Sequence, residues 1–407
     1  MPRTTTHRVG FALVATAYGA TMAAGSVPTP LYVLYQHRDH FGTTTVSLVF
    51  AVYVVGVVAG LLLAGARAER VGRRPVLAAA LAVQLLACGV FVIWPALPGL
   101  LLGRVLSGLS IGLLSGPATA YLIELHRRAR PQAATANAEV VATAANLGGI
   151  AAGPLVSGAL AEWAPAPLEL PYVITGVVLA LAALLVAVVP ETRQPVVRPW
   201  SRPLALASER RLLFVASCLG GLVAFAMFGL FSALSPSFLA GTLGHRSHAL
   251  AGLVAFVGLG AGAVAQLGLR RLAPRPAMRA VVVAMPVGLG LVVAGVWTAL
   301  LLPFVVGGAV TGAAAGLLFR ACLTTVVQLS PVDRRAGTLA TLFVTSYAGL
   351  SIPVIGLGAA SQIAGARGAL AGFAALALTG LAVVAAVRLR PEPPAHAAAG
   401  LAAGTAR

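Results

Sequence analysis

The stretch from Gly65 to Pro75 reads G-A-R-A-E-R-V-G-R-R-P and separates two long apolar runs. It places four arginines and one glutamate within eleven positions, in a chain of which only 9% of the residues are charged. Such a charge density cannot be accommodated in hydrocarbon, and glycines at both ends permit a tight chain reversal. The stretch therefore predicts a hairpin at a membrane surface, with its arginines facing cytoplasmic water and lipid headgroups.

The composition of the whole chain agrees with a membrane location. Of 407 residues, 59% are hydrophobic, whereas soluble domains average about 45–50% apolar and about 25% charged residues. The net charge of +18 comes from arginines at the ends of apolar runs, a pattern that indicates membrane topology and excludes nucleic-acid binding. The three cysteines lie in separate apolar runs, so neither a disulfide framework nor a metal site is predicted.

Apolar runs of about 20 residues, each long enough to cross roughly 30 Å of hydrocarbon, recur along the chain. The first is too long for a signal peptide and is interpreted as a retained span. We predict twelve spans, numbered in chain order, with these approximate bounds: 10–36, 45–66, 75–95, 98–123, 137–160, 170–189, 212–240, 249–269, 279–299, 302–327, 338–363 and 367–388.

The distribution of arginines predicts the orientation of these spans. With both termini in the cytoplasm, 23 of the 28 arginines lie on the cytoplasmic side. Only Arg38, Arg246 and Arg367 lie outside, and Arg104 and Arg320 lie within spans. The positive-inside rule therefore predicts a multi-pass protein of the inner (cytoplasmic) membrane with cytoplasmic N- and C-termini.

The two halves of the chain repeat each other. The glycine ladder of span 4 recurs in span 10 at an offset of 200 positions, and the glycine and proline of span 5 recur in span 11. A repeat of this kind is how transporters build two half-bundles around a central cavity. We predict an all-α integral membrane fold, twelve transmembrane helices in two pseudo-symmetric six-helix bundles. The predicted parts are a first bundle 1–190, a cytoplasmic linker 191–211, a second bundle 212–390 and a disordered cytoplasmic tail 391–407.

The stretch that opens this section resembles the signature between spans 2 and 3 of the major facilitator superfamily, G-x-x-x-D-R-x-G-R-R. The matching residues are Gly65, Arg70, Gly72, Arg73 and Arg74. Glu69 stands where the family usually has aspartate. The resemblance implies that this carboxylate and its arginine neighbours form a cytoplasmic ion-pair gate that latches the two halves, and that Glu124 at the end of span 4 takes part.

Three further stretches resemble motifs of the same family. Arg104 to Gly108 is similar to the span 4 motif R-x-x-x-G, and Gly149 to Gly158 is similar to the span 5 antiporter motif, with Ser157 replacing one glycine. The tetrapeptide P-E-T-R follows span 6. The residues assigned to helix packing are Gly108, Gly112, Gly149, Gly153, Pro154 and Gly158. The span 5 motif implies the drug-efflux-like, twelve-span branch.

Charged residues inside spans are candidates for chemistry, because each costs roughly 2.5–3.5 kcal/mol at a span centre. Arg104 either snorkels or caps a neighbouring carbonyl, or it serves a cavity or coupling role. Arg320, near mid-depth, is predicted to contact substrate or gate the path. Glu139, at the inner end of span 5, is either an interfacial carboxylate or a partner for an arginine or proton. Among neutral polar residues we favour Asn146 and Tyr347 as substrate contacts.

These observations predict a secondary active transporter that moves a small molecule by alternating access, in the direction of efflux, with proton antiport as one form of coupling. No Asp, Glu or His lies in the middle of a span, and arginine cannot cycle a proton at physiological pH. The alternative is therefore an exchanger or facilitator for small organic or inorganic anions. No nucleophile with a base and no phosphate-binding loop is present, so we predict no enzyme, no cofactor and no metal, and a monomer in the bilayer.

Overall fold

The computed structural model of the chain describes residues 7–192, 208–330 and 335–390. Within these ranges, the side chains at 65–70, 208–209 and 335–336 are not described. Most of the predicted linker, 193–207, and the predicted tail, 391–407, lie outside the described residues. The predicted division into parts therefore stays a prediction.

Twelve helices in the described part are long and apolar enough to cross a membrane, which confirms the predicted number of spans and the all-α class. A short helix, Tyr32–Asp39, follows span 1. The described residues contain no β-strand. The helices of spans 1 to 12 are His7–Ser26, Thr43–Val71, Arg73–Ile93, Leu97–Ala129, Ala136–Trp163, Leu170–Ala187, Ser208–Gly241, His248–Gly268, Pro274–Thr298, Leu301–Leu329, Arg335–Ile363 and Gly365–Arg388.

Three spans depart from a continuous α-helix. Span 1 was expected to run to residue 36, but its helix ends at Ser26 because Pro28 and Pro30 lack the N–H groups that would continue it. Span 5 contains the π-helical segment Ala144–Gly148, and span 7 contains the π-helical segment Leu230–Leu234. Such insertions widen a helix locally and frequently lie at functional sites.

The hairpin between spans 2 and 3 is tighter than predicted. The helix of span 2 continues through Gly65 to Val71, and Arg73 already begins span 3. Gly72 alone reverses the chain, with φ of 105°, a backbone conformation that L side chains rarely adopt. The prediction that Gly65 also takes part in the reversal is wrong, since that residue lies in regular helix.

The glycine ladders pack equivalent helix pairs in the two halves. Gly112 of span 4 faces the backbone of span 2, where an added Cβ would lie 2.2 Å from the carbonyl oxygen of Val57. Gly312, its equivalent in span 10, faces the backbone of span 8 in the same way, since an added Cβ would overlap the carbonyl oxygen of Gly258. Small residues let two helix backbones approach closely, and the resulting van der Waals packing holds the helices together where lipid gives no hydrophobic driving force. The offset of 200 in the sequence is therefore a structural repeat.

The two halves pack against each other through spans 2 and 11 and through spans 5 and 8. We name the side on which span 1 begins and span 12 ends the termini face, and the opposite side the far face. Arg275, near the start of span 9, donates a hydrogen bond to the carbonyl of Arg390 beyond span 12, at the termini face. Under the predicted topology the termini face is the cytoplasmic one.

Candidate functional site

Glu162, at the end of span 5, joins the two halves at the far face. Its Oε2 accepts hydrogen bonds from the backbone N–H of His248 at 2.6 Å and of Ala249 at 3.3 Å, and from the Ser247 hydroxyl at 3.2 Å. These groups begin span 8, whose unpaired N–H groups and helix dipole favour a negative charge. The sequence motifs assign no role to Glu162. The feature that could have indicated one is an acidic residue at the end of a span, in a chain that has only ten acidic residues.

Other contacts between the halves lie on the same side of the membrane. The Ser237 hydroxyl of span 7 donates to Oε1 of Gln36 at 3.1 Å, and the Ser351 hydroxyl of span 11 donates to the carbonyl of Ala51 in span 2 at 3.4 Å. Within the part of the chain whose side chains are described, every hydrogen bond between the halves lies in the far half of the bundle. The far face is therefore closed.

The span 5 motif divides its residues between two neighbours. Gly149 and Gly153 lie against span 1, where added Cβ atoms would meet the carbonyl oxygens of Gly19 and Ala23 at 2.4 and 2.2 Å. On the other side of the helix, Gly158 and Pro154 contact Gly252 of span 8 across the interface between the halves. The motif thus lets one helix approach both a neighbour in its own half and the opposite half.

The predicted gate at the termini face is partly described. The backbone of Gly65, Glu69 and Arg70 is helical, but their side chains lie outside the described residues. Arg73 is only 8% exposed, and its Nε lies 3.4 Å from Oε1 of Glu124. Glu124 therefore forms an ion pair with an arginine of the hairpin. This pair joins spans 3 and 4 within one half, and whether the cluster latches the two halves stays a prediction.

Glu191, of the P-E-T-R tetrapeptide, completes this cluster. Its carboxylate accepts the backbone N–H groups of Arg73 at 3.2 Å and Arg74 at 2.9 Å, and so caps the start of span 3. The adjacent Thr192 donates from its hydroxyl to Oε2 of Glu124 at 2.6 Å. The end of span 6 therefore binds the start of span 3 and the end of span 4. The resemblance had marked the tetrapeptide, but gave Glu191 no role.

Arg104 lies 2% exposed among spans 1, 2 and 4. Its Nη1 donates to the carbonyl of Gly25 at 2.8 Å. In a regular helix that carbonyl would accept from the N–H of Thr29, which instead bonds to Ser26 at the break in span 1. The guanidinium also lies over the ring of Tyr53, 4.4 Å from its centroid, a cation–π geometry. Arg104 therefore caps a neighbouring carbonyl, one of the two interpretations of this residue.

The two other charged candidates lie nearer water. Arg320 is partly exposed, and its Nη1 donates at 2.5 Å to the carbonyl of Leu269, which follows the last turn of span 8. Glu139 is exposed at the termini face and forms no ion pair with any described residue. Its position is that of an interfacial carboxylate, and a role in proton transfer stays a prediction.

A polar group from the first half lies at mid-depth. Asn146 belongs to the π-helical segment of span 5, and its side chain lies beside the hydroxyl of Tyr18 in span 1, together with that of Thr119 in span 4. The Tyr18 hydroxyl donates to the carbonyl of Ser115 at 3.2 Å. Three spans of one half thus converge on hydroxyl and amide groups. The π-helical turn that presents Asn146 left no pattern in the sequence.

An aromatic group from the second half lies at the same depth. Tyr347 of span 11 packs edge-on against Phe225 of span 7, with ring centroids 5.2 Å apart. Phe225 in turn contacts Phe319 of span 10 at 4.9 Å, and Phe319 contacts Phe343 at 5.9 Å. Tyr347 lies within electrostatic range of Tyr18. The polar and aromatic groups therefore lie at the same depth, one in each half.

Comparison with known proteins places this architecture in a family. The family model of the Major Facilitator Superfamily matches residues 9–304, close to three quarters of the chain. The chain belongs to the Major Facilitator Superfamily. It is a multi-pass membrane protein of a transporter family, and the resemblance based on the motifs is confirmed at that level. A search among curated proteins finds no significant match.

Solved transporter structures share the fold. The nucleoside transporter NupG superposes with a TM-score of 0.75 at 13% identity, over 93% of this chain and 100% of that one. A bacterial homologue of the human lysosomal transporter Spinster, in an inward-facing and unoccupied conformation, gives 0.72 at 16%, over 95% and 99%. The human organic anion transporter MFSD10 gives 0.67 at 17%, over 93% and 100%. At these identities the likeness shows the superfamily fold alone.

In this superfamily member the predicted site residues form separate groups. Asn146 and Tyr347 lie at mid-depth, where the halves meet. Arg104 is buried within the first half, and Arg320 lies beside the end of span 8 in the second half. The two arginines therefore do not converge on one ligand.

Proposed function

We propose that the chain is a secondary transporter that exports small, largely apolar compounds carrying hydrogen-bonding groups, by alternating access between its two halves. The observation that carries this proposal is that each half places a chemically different group at mid-depth. One half offers Tyr18, Thr119 and Asn146, and the other offers the rings of Phe225 and Tyr347. Mostly apolar sites with a few placed polar groups are typical of small-molecule binding.

The direction and the branch rest on resemblance. The span 5 antiporter motif favours the drug-efflux-like branch, and two of its residues, Pro154 and Gly158, line the contact between spans 5 and 8. Proton coupling would need a carboxylate that changes its protonation during the cycle. Glu139 is exposed and forms no ion pair with a described residue, whereas Glu124 is held by Arg73, so Glu139 is the better candidate.

The alternative, an exchanger or facilitator of small anions, is favoured by one observation. Neither Arg104 nor Arg320 forms an ion pair with a described carboxylate. Both, however, already donate to backbone carbonyls, which accounts for their presence in spans without a ligand. Two of the similar structures are named for a nucleoside and for organic anions, so the fold favours neither substrate class.

We further propose that the chain functions as a monomer with both termini in the cytoplasm of the cell, in the inner membrane. This orientation is supported by the arginine distribution. With the far face closed, the described conformation would then be one that opens toward the cytoplasm. Residues 1–190 and 212–390 would be the two moving bodies, since alternating access in this class of fold is largely rigid-body rocking.

The proposed function is tested by uptake into inside-out vesicles that contain the full chain. A panel of cationic, neutral and anionic fluorophores is offered with and without a protonophore. The variants Asn146→Ala and Tyr347→Ala are compared with Tyr172→Phe, which alters a fully buried tyrosine at 1% exposure away from the meeting point. Loss of the hydroxyl there removes only a long, 3.5 Å hydrogen bond to Tyr35.

We expect accumulation of neutral or cationic aromatic fluorophores, reduced about tenfold or more in both alanine variants and little changed in the control. Abolition by the protonophore would support proton antiport. Transport of anions alone, insensitive to the protonophore and lost in Arg320→Gln, would replace this proposal with the anion alternative. Full transport by both alanine variants would remove the mid-depth groups from the substrate path.

A further inference from the structure

A separate cavity lies at the termini face, away from the contact between the halves. It has a volume of about 320 Å³ and is formed by the start of span 1, the end of span 4 and the start of span 5. Small-molecule sites range from about 300 to 1,000 Å³, so the cavity can hold a compact polar group. Its lining residues are Arg8, Phe11, Ala12, His126, Ala129, Arg130, Asn137 and Val141.

The charged side chains of this cavity are all basic. Arg8 and Arg130 are exposed, and neither guanidinium forms a hydrogen bond or ion pair with a described residue. The acidic residues closest in sequence are Glu124, two positions before His126, and Glu139, two positions after Asn137. Each lies about 200° around its helix from that lining residue, and Glu124 is already held in an ion pair. The cavity therefore has an uncompensated positive potential among the described residues.

His126 forms one wall of the cavity. Its side chain is only 6% exposed, and its Nε2 is buried with no hydrogen-bond partner among the described residues. The ring is held against Phe11, with centroids 5.7 Å apart. The donors that a ligand in the cavity could reach are therefore the exposed side chains of Arg8, Arg130 and Asn137.

We propose that this cavity is a binding site for a phosphate group. Guanidinium groups match phosphate oxygens in geometry and charge, and the exposed amide of Asn137 adds a further donor. The phosphate would come either from the headgroup of an anionic lipid or from a soluble phosphate ester. Basic pockets between helix ends on the cytoplasmic side of a membrane are suited to the first source. The proposal does not depend on the transported substrate.

The test uses the purified full chain and native mass spectrometry with two probes, short-chain phosphatidylglycerol and inorganic phosphate. The pocket variant Arg8→Gln with Arg130→Gln is compared with a control, Arg127→Gln with Arg279→Gln. The control removes the same charge from exposed arginines at the same face but outside the cavity. A third variant, Ala12→Phe, keeps every charge and fills the cavity.

We expect the pocket variant and Ala12→Phe to bind at least tenfold more weakly than the control, with thermal unfolding confirming that all variants are folded. Binding of phosphatidylglycerol alone would assign the site to a lipid headgroup, and competition by inorganic phosphate would assign it to a soluble phosphate ester. Equal binding by the pocket variant and the control, or no binding of either probe to the unaltered chain, would overturn the proposal.

Discussion

At the scale of the residue, Arg104 shows how a charge inside a span can serve structure. The break in span 1 frees the carbonyl of Gly25, and the only donor that reaches it in the described part is this guanidinium. We predict that Arg104→Gln destabilises the protein by about 1–3 kcal/mol, the cost of a buried carbonyl left unmet. Thermal unfolding of the purified protein measures this loss. Arg320→Gln, at a partly exposed position, should have a smaller effect. A stable Arg104→Gln protein that has lost anion transport would instead make Arg104 a substrate ligand.

Gly72 illustrates a second residue whose role is conformational. With φ of 105° and ψ of 169° it occupies a region that is essentially restricted to glycine. An added Cβ would also lie 2.8 Å from Oε2 of Glu191, which caps span 3. We predict that Gly72→Ala lowers stability by about 1–3 kcal/mol. Gly89→Ala is the control, because a Cβ there meets nothing within 4 Å, and it should be neutral or stabilising by about 0.5–1 kcal/mol. Equal stability of the two variants would contradict this account.

At the scale of the element, the sequence predicts most of the fold because the bilayer limits the possibilities. A span must be a helix of about 20 apolar residues, so all twelve could be placed from hydropathy. Hydropathy nevertheless carried span 1 through to residue 36, past Pro28 and Pro30, whose missing N–H groups end its helix at Ser26. The π-helical segments could not be predicted, since Ala144–Gly148 carries no proline or charge to signal it. The chain reversal was assigned to the glycines at both ends of the hairpin, because either can adopt the backbone conformation of a turn.

The ladder of span 4 offers an internal comparison between neighbouring glycines. A Cβ on Gly112 would lie 2.2 Å from the carbonyl oxygen of Val57, whereas a Cβ on Gly116, one turn later, meets nothing within 4 Å. We predict that Gly112→Ala forces spans 2 and 4 apart and costs about 1–3 kcal/mol. Gly116→Ala should be neutral or stabilising by up to about 1 kcal/mol, since alanine is the better helix former. The shift in apparent Tm of each variant measures the difference. An equal loss at both positions would mean that the ladder does not act through backbone contact.

At the scale of the whole molecule, the contacts that join distant parts of the chain escaped prediction. Glu162 and Glu191 each cap a helix that begins far away in sequence, at Ser247 and at Arg73. The sequence around each glutamate gives no indication of those partners. The mid-depth groups show the same limit. Asn146 and Tyr347 were favoured for their residue types, whereas their polar and aromatic surroundings arise only when helices distant in sequence pack within each half.

The cap at Glu162 gives a prediction about the equilibrium between conformations. It is one of the few polar links between the halves, and its three hydrogen bonds lie at the far face. Glu162→Gln removes the charge that the start of span 8 attracts, so the population with an open far face should rise. At an exposed position such a pair contributes about 0–1 kcal/mol, which limits the change in the open-to-closed ratio to about fivefold.

The measurement is the distance between spin labels at Ala96→Cys and Leu300→Cys, introduced into a cysteine-free chain. These exposed positions lie at the far face, between spans 3 and 4 and between spans 9 and 10. Glu169→Gln is the matched control, because Glu169 is an exposed far-face carboxylate whose side chain binds no described residue. Longer distances in Glu162→Gln alone would establish the cap as part of the closure. Identical distance distributions in both variants would mean that the cap does not contribute to closure. The far face would then be closed by the contact of Gly158 with Gly252, where the backbones of spans 5 and 8 touch without a polar link.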